Sequence, residues 1–176
     1  YKAQRPATPD ELVNQFGRVR QLVEAFRIPI YELEGYEADD IIGSVSLCAE
    51  AKGMETVIIT GDRDSLQLAG GSTRIKMPVT RAGRTETDEY DADRVMEKYG
   101  VTPLQFIDVK GLMGDQSDNI PGVPGIGEKT ALDLIIRFGS LDNIYKNLEQ
   151  VEKKSVREKL EMNRELAFLS RRIATI

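Results

Sequence analysis

Thr56-Val57-Ile58-Ile59-Thr60 is an unbroken run of β-branched residues. A strand with one wet face alternates apolar and polar residues. A strand buried on both faces does not, and such strands belong to parallel sheets covered by helices. This run therefore commits the first half of the chain to an α/β arrangement. The flanking patterns agree. Glu37 to Lys52 reads as a helix with Ile41, Ile42, Val45 and Ala49 on one face and Gly53 as its stop. Ile30 to Leu33 reads as a further short strand before it. Thr8, Pro9 and Glu11 read as a capped helix start, followed by Leu12, Phe16, Val19, Leu22, Val23 and Phe26 at helical spacing. A short helix is expected near Ser65 to Leu68. Thr73–Val79 and Arg84–Thr87 flank Gly83 as a hairpin or a pair of edge strands.

The character changes after Asp91. Asp91 is placed to cap a helix ending at Tyr99-Gly100, and Thr102-Pro103 to start another running to Met113. Glu128 to Phe138 is helical with Gly139 as its stop, and Leu141 to Arg172 reads as three short helices. The expected organisation is an α/β part over residues 1–100 and an all-helical part over 101–176. The expected sheet is mostly parallel.

Composition removes several chemistries. The chain has 176 residues and no histidine. Ser-His-Asp and Cys-His triads and His-ligated zinc are thus excluded. Cys48 is the single cysteine, so an intrachain disulfide is excluded and a reducing, cytoplasmic setting is expected. No apolar run approaches the length of a membrane span, and a monomer is expected. The net charge of −5 is unevenly spread. Nine acids lie in residues 31–70 against only Lys52 and Arg63, while residues 151–176 carry a net +3.

The acids fall into three clusters: Glu37, Asp39 and Asp40 at a helix start; Asp62 and Asp64 just after the strand 56–60; Asp115 and Asp118 at the head of a glycine-rich loop. Ligand sites in open α/β sheets lie beyond the carboxyl ends of the strands. If strands 30–33 and 56–60 are parallel, five carboxylates meet at that edge. Oxygen donors without His or Cys suit Mg²⁺ or Mn²⁺. Each cluster also has a plainer reading. Acids in a first helical turn favour the helix dipole, and Asp in a turn caps backbone N–H groups.

The loop Gly114–Gly127 ends in Gly122-Val123-Pro124-Gly125-Ile126-Gly127-Glu128-Lys129-Thr130. It is not a Walker A loop, because Glu128 stands between Gly127 and Lys129-Thr130. It is not a dinucleotide fingerprint, because Thr130 stands at the third glycine position and no strand precedes it. A tight turn between helices fits better. Backbone amides at the start of helix 128–138 could then hold a phosphate, with Lys129 beside them. An ordinary helix connector is the alternative.

Three motifs together carry a resemblance. Tyr36-Glu37-Ala38-Asp39-Asp40, Thr60-Gly61-Asp62-Arg63-Asp64 and the run Lys110 to Ala131 resemble the flap endonuclease-like 5′-nuclease domains of bacterial DNA polymerase I, over essentially the whole chain. The resemblance implies a metal-dependent hydrolase that cleaves phosphodiesters near DNA 5′ ends or flaps, using two or more Mg²⁺ or Mn²⁺ ions. It implies that Glu37, Asp39, Asp40, Asp62, Asp64, Asp115 and Asp118 are the metal-site carboxylates. Asp39, Asp40, Asp62 and Asp64 would serve the catalytic ion, and Asp115 and Asp118 a second one. It further implies that the glycine loop is a helix-three-turn-helix that grips duplex phosphates through Gly122, Gly125, Gly127, Lys129 and Thr130. K⁺ would be a further ion there. Lys2 and Arg5 would face the threaded strand.

One departure bears on activity. The family begins with a strand carrying a metal-site aspartate, and a second aspartate follows before a helical arch. Neither matches a residue of this sequence. The sequence therefore reads as an N-terminally truncated member, expected to cleave 5′ flaps poorly or not at all. A non-catalytic duplex-binding fragment is the alternative.

Overall fold

The computed structural model describes residues 7–81 and 83–176. Eight α-helices are described: α1 (Asp10–Ala25), α2 (Ala38–Glu50), α3 (Ala92–Tyr99), α4 (Pro103–Met113), α5 (Glu128–Phe138), α6 (Leu141–Lys146), α7 (Lys154–Met162) and α8 (Arg164–Ala174). The strands are β1 (Thr56–Ile59), β2 (Thr73–Arg81) and β3 (Arg84–Tyr90), with 3₁₀ turns at Arg63–Leu68 and Leu148–Gln150. The order α1, α2, then sheet, then helices follows the sequence pattern closely.

The sheet is smaller and more mixed than the sequence suggests. β1 pairs with β2 in parallel, with Ile58 opposite Ile75. β2 pairs with β3 antiparallel through a hairpin that turns at Gly83, so Ile75 lies opposite Tyr90. Residues 30–33 form no strand. Ile30, Tyr31 and Leu33 have strand-like side chains but pair with nothing among the described residues, and a strand exists only through its partner's hydrogen bonds. The β1 edge that does not face β2 consequently has no described neighbour strand, and Ile59 stays 72% exposed.

The start of α1 also departs from expectation. The helix begins at Asp10 with Pro9 as N-cap, and no side chain caps it. Its apolar stripe is periodic but stays largely exposed: no residue of α1 is buried. The later helix ends follow their local chemistry. The Asp91 carboxylate accepts from Arg94 N at 2.8 Å. Thr102 and Gln105 form a reciprocal capping box, at 3.2 and 2.9 Å.

A single apolar core joins both parts of the chain. It runs from Ile58, Leu66 and Ile75 through Val95, Val109 and Leu112 to Ile135, Leu141 and Leu160. α4 is its axis, with Phe106, Val109 and Leu112 all buried. α8 lies so close to α4 that a Cβ on Gly111 would sit 2.9 Å from Cβ of Arg171. This packing brings the C-terminal end of α8 against the start of α2. Gln67, itself buried, holds it there by donating to Ala174 O (2.9 Å) and accepting from Ile176 N (2.9 Å).

Candidate active site

Glu37, Asp39, Asp40, Asp64 and Asp118 line one cavity of about 170 Å³, closed on its other side by Ile120 and residues 173–176. Five of the seven predicted carboxylates are thus brought together. Their convergence does not come from a pair of parallel strands, as expected, but from α2 starting beside the turn that follows β1. Each cluster also serves its own backbone. Glu37 and Asp40 form a capping box at the head of α2, with Glu37 N donating to Asp40 Oδ2 at 3.0 Å. The Asp62 side chain accepts from Asp64 N at 2.9 Å and starts the 3₁₀ turn. Asp115 accepts from Ser117 N at 2.8 Å. The capping and ligand readings of these acids are therefore not exclusive.

The remaining two predicted acids lie outside the cavity lining. Asp62 is exposed and engaged in its cap. Asp115 is half-buried and meets Lys110, whose ammonium lies 2.6 Å from Asp115 Oδ2 and 2.5 Å from Asp64 Oδ1. Lys110 was not among the expected site residues. The available signal was a lysine on a helix that is otherwise apolar on nearly every face.

The two acids that share this ammonium respond differently. Burial pushes the Asp64 carboxyl upward and outweighs the lowering effect of Lys110; the nearby charges of Asp62 and Asp115 add to the rise. Burial acts the same way on Asp115, but hydrogen bonds from Lys110 and Ser117 overcome it and lower its pKa to about 2. The Asp115 pKa in the fold thus lies below its ordinary value of 3.8. Its contribution to stability is complete above about pH 4 and is lost as pH falls toward 2. Melting curves between pH 5 and pH 2 should fall less steeply for Asp115→Asn than for the wild type. Equal slopes would mean that the Lys110–Asp115 contact does not form in solution.

The glycine loop is a separate feature. Gly114 and Gly122 stand back to back, and the Asp115–Ile120 bridge closes the loop between them. Gly125 O accepts from Lys159 Nζ at 3.0 Å. Gly127 is the N-cap of α5, and no side chain caps its first N–H groups. Lys129 is exposed and Thr130 half-buried. Glu128, whose charge would repel a phosphate, is engaged by Arg63 at 2.8 Å. Lys2 and Arg5 lie outside the described residues.

Comparison with known proteins bears directly on this arrangement. Residues 1–100 match the family described as 5′-3′ exonuclease, N-terminal resolvase-like domain. Residues 101–176 match that described as 5′-3′ exonuclease, C-terminal SAM fold. The chain belongs to the 5′-3′ exonuclease family. It is 52% identical over 176 residues to DNA polymerase I of Caldicellulosiruptor bescii, covering 100% of this chain and 21% of that protein. It is 49% identical over the same length to DNA polymerase I of Bacillus caldotenax, covering 20% of that protein. The chain thus spans about a fifth of the curated relatives it matches. Among solved structures, the bacteriophage T5 flap endonuclease in a pseudo-enzyme-product complex with DNA and metal ions aligns with a TM-score of 0.77 at 27% identity. That alignment covers 98% of this chain and 62% of the phage protein.

The family membership raises the question of metal fit. The cavity donors are all oxygens, which suits hard divalent cations. Asp64 Oδ1 is buried and makes no properly angled hydrogen bond; its contact with Lys110 is ionic only. A cation bound by this oxygen would compete with the ammonium already 2.5 Å from it. Among the described residues, however, no three acidic side chains are grouped tightly enough to cage an ion. The site is an acidic pocket with ligand chemistry suited to metal rather than a closed coordination sphere.

Proposed function

We propose that this chain is the metal-dependent 5′-3′ exonuclease and flap endonuclease portion of a DNA polymerase I, hydrolysing phosphodiesters near DNA 5′ ends. The observation that carries this reading is the shared cavity of Glu37, Asp39, Asp40, Asp64 and Asp118. In the proposal, residues 1–100 supply most of the acidic site, Asp115 and Asp118 join it from the glycine loop, and the rest of 101–176 grips the duplex. Glu37, Asp39, Asp40, Asp64 and Asp118 would hold Mg²⁺ or Mn²⁺, with Asp62 and Asp115 at the margin. When bound there, such ions would activate the attacking water and offset charge on the phosphate.

The chain's own residues do the rest. The acidic walls leave the phosphate no favourable place without cations, so substrate entry and metal occupancy are linked. The uncapped N–H groups of α5, with Lys129 and Thr130, would hold a duplex phosphate. Lys2 and Arg5 would contact the strand that enters the site, and K⁺ would bind at the loop carbonyls. Among the described residues, no helix is long and apolar enough to cross a membrane. Cytoplasmic location and a monomeric state are part of the same proposal.

A second reading is duplex binding without turnover, and the lack of a closed three-acid cage among the described residues favours it. One experiment separates the two. A 5′-labelled flap duplex is incubated with the chain in Mg²⁺, in Mn²⁺ and in EDTA, beside Asp62→Asn with Asp64→Asn. Metal-dependent cleavage that the double variant loses supports the nuclease reading. Retained binding with no product in any metal supports the second. Cleavage that persists in the double variant removes this cavity from the chemistry.

A further inference from the structure

We propose that Lys110 is an internal counter-ion of the acidic pocket, holding Asp64 and Asp115 together in the metal-free protein and opposing divalent cations there. The proposal rests on the metal-site reading of the pocket and adds to it a positioning residue of opposite charge.

Three observations lead to it. Lys110 is 7% exposed, a burial that lysine tolerates only with partners. Its ammonium touches both Asp64 and Asp115, at 2.5 and 2.6 Å, so one cation bridges acids from the turn after β1 and from the glycine loop. Asp64 faces the cavity, whose lining includes no lysine or arginine. The charge that offsets the cavity acids from behind therefore comes through Asp64.

The consequence follows from electrostatics. Two carboxylates that meet a common ammonium are close enough to repel each other strongly when partly buried. The ammonium removes that repulsion and fixes the spacing of the two elements that carry the acids. A divalent ion accepted by Asp64 must then sit a few Å from a fixed positive charge. The same lysine that preorganises the pocket thus lowers its affinity for metal.

The test is Mn²⁺ binding to the full chain, read from the electron paramagnetic resonance signal of free Mn²⁺, together with melting temperature in EDTA. Wild type is compared with Lys110→Met, Lys110→Gln and Lys110→Arg. The Met and Gln variants should melt lower in EDTA yet bind Mn²⁺ about tenfold tighter or more. Mn²⁺ should raise their melting temperature by more than it raises that of the wild type. Lys110→Arg should keep the wild-type affinity. If Lys110→Met does not fold, Lys110→Gln decides, since its amide still donates to one carboxylate. Wild-type binding with equal or weaker binding in the uncharged variants overturns the proposal and leaves the metal reading intact. No Mn²⁺ binding by any of the four proteins overturns the metal reading, and the proposal with it.

Discussion

Gly122→Ala should lower the melting temperature by about 10 °C or more, measured by circular dichroism. The position leaves no room for a side chain. A Cβ there would lie 2.3 Å from Gly114 N and 2.6 Å from the Met113 carbonyl carbon. These are backbone atoms at the end of the most buried helix, so they cannot swing aside. The backbone is also in the left-handed region, with φ of +59°, which costs a residue with a side chain about 1–3 kcal/mol. Overpacking adds a similar amount. Together these reach several kcal/mol, and each kcal/mol moves a domain of this size by roughly 2–4 °C. The damage would spread, because Gly122 N donates to the buried Ser170 Oγ at 2.9 Å and so ties the loop to α8. A change under about 2 °C would mean that the loop is open in solution. Gly122 is therefore required by its own chain's packing, and under the proposed function it would serve the DNA grip through the shape of the loop.

Much of this architecture was legible because local rules and tertiary packing agree. Asp91, Thr102 and Gly139 mark helix ends in the sequence and mark them in the structure. The hairpin around Gly83 was legible too, since its glycine takes φ of +77°. Failures occur where an element needs a partner to exist. Ile30 to Leu33 has the composition of a strand, but composition cannot supply the hydrogen bonds of a neighbour. The stripe on α1 has a helix's period, yet Phe16 remains 55% exposed and Leu22 58%. Periodicity reports that a face is apolar and is silent on what covers it. The site shows the same division. Acids that would meet at one cavity could be named from spacing, because helix starts and strand ends place them. Lys110 carries only a weak sequence signal, a lysine on a largely apolar helix, and that signal names no partner. A lone buried cation is recognised only when Asp64 and Asp115 are seen around it.

Gly127→Val should leave the fold intact and weaken duplex DNA binding about tenfold or more. It is the counterpart of Gly122 in the same loop, and the physical situation is reversed. A Cβ on Gly127 would meet nothing within 4 Å. Its φ of −95° and ψ of 177° are extended backbone that valine adopts readily. Valine is a poorer N-cap than glycine, so a small loss of stability is expected, about 1 kcal/mol. Nothing inside the chain thus requires glycine here. Under the proposed function the requirement comes from outside. A phosphate reaching the N–H groups at the start of α5 must pass the face that a valine side chain would cover. Fluorescence anisotropy with a labelled blunt duplex at several salt concentrations measures the effect. Affinity should fall at every salt concentration for Gly127→Val. Lys129→Ala should instead also flatten the dependence of log affinity on log salt by about 0.9, the loss of one phosphate contact. Neither change should depend on the duplex sequence, because backbone contacts carry no base information. Equal binding by wild type and Gly127→Val, both folded at the assay temperature, would remove the start of α5 from the DNA interface. The grip would then have to lie with the basic residues of α7 and α8, and Arg164→Ala or Arg172→Ala would be the variants to weaken it.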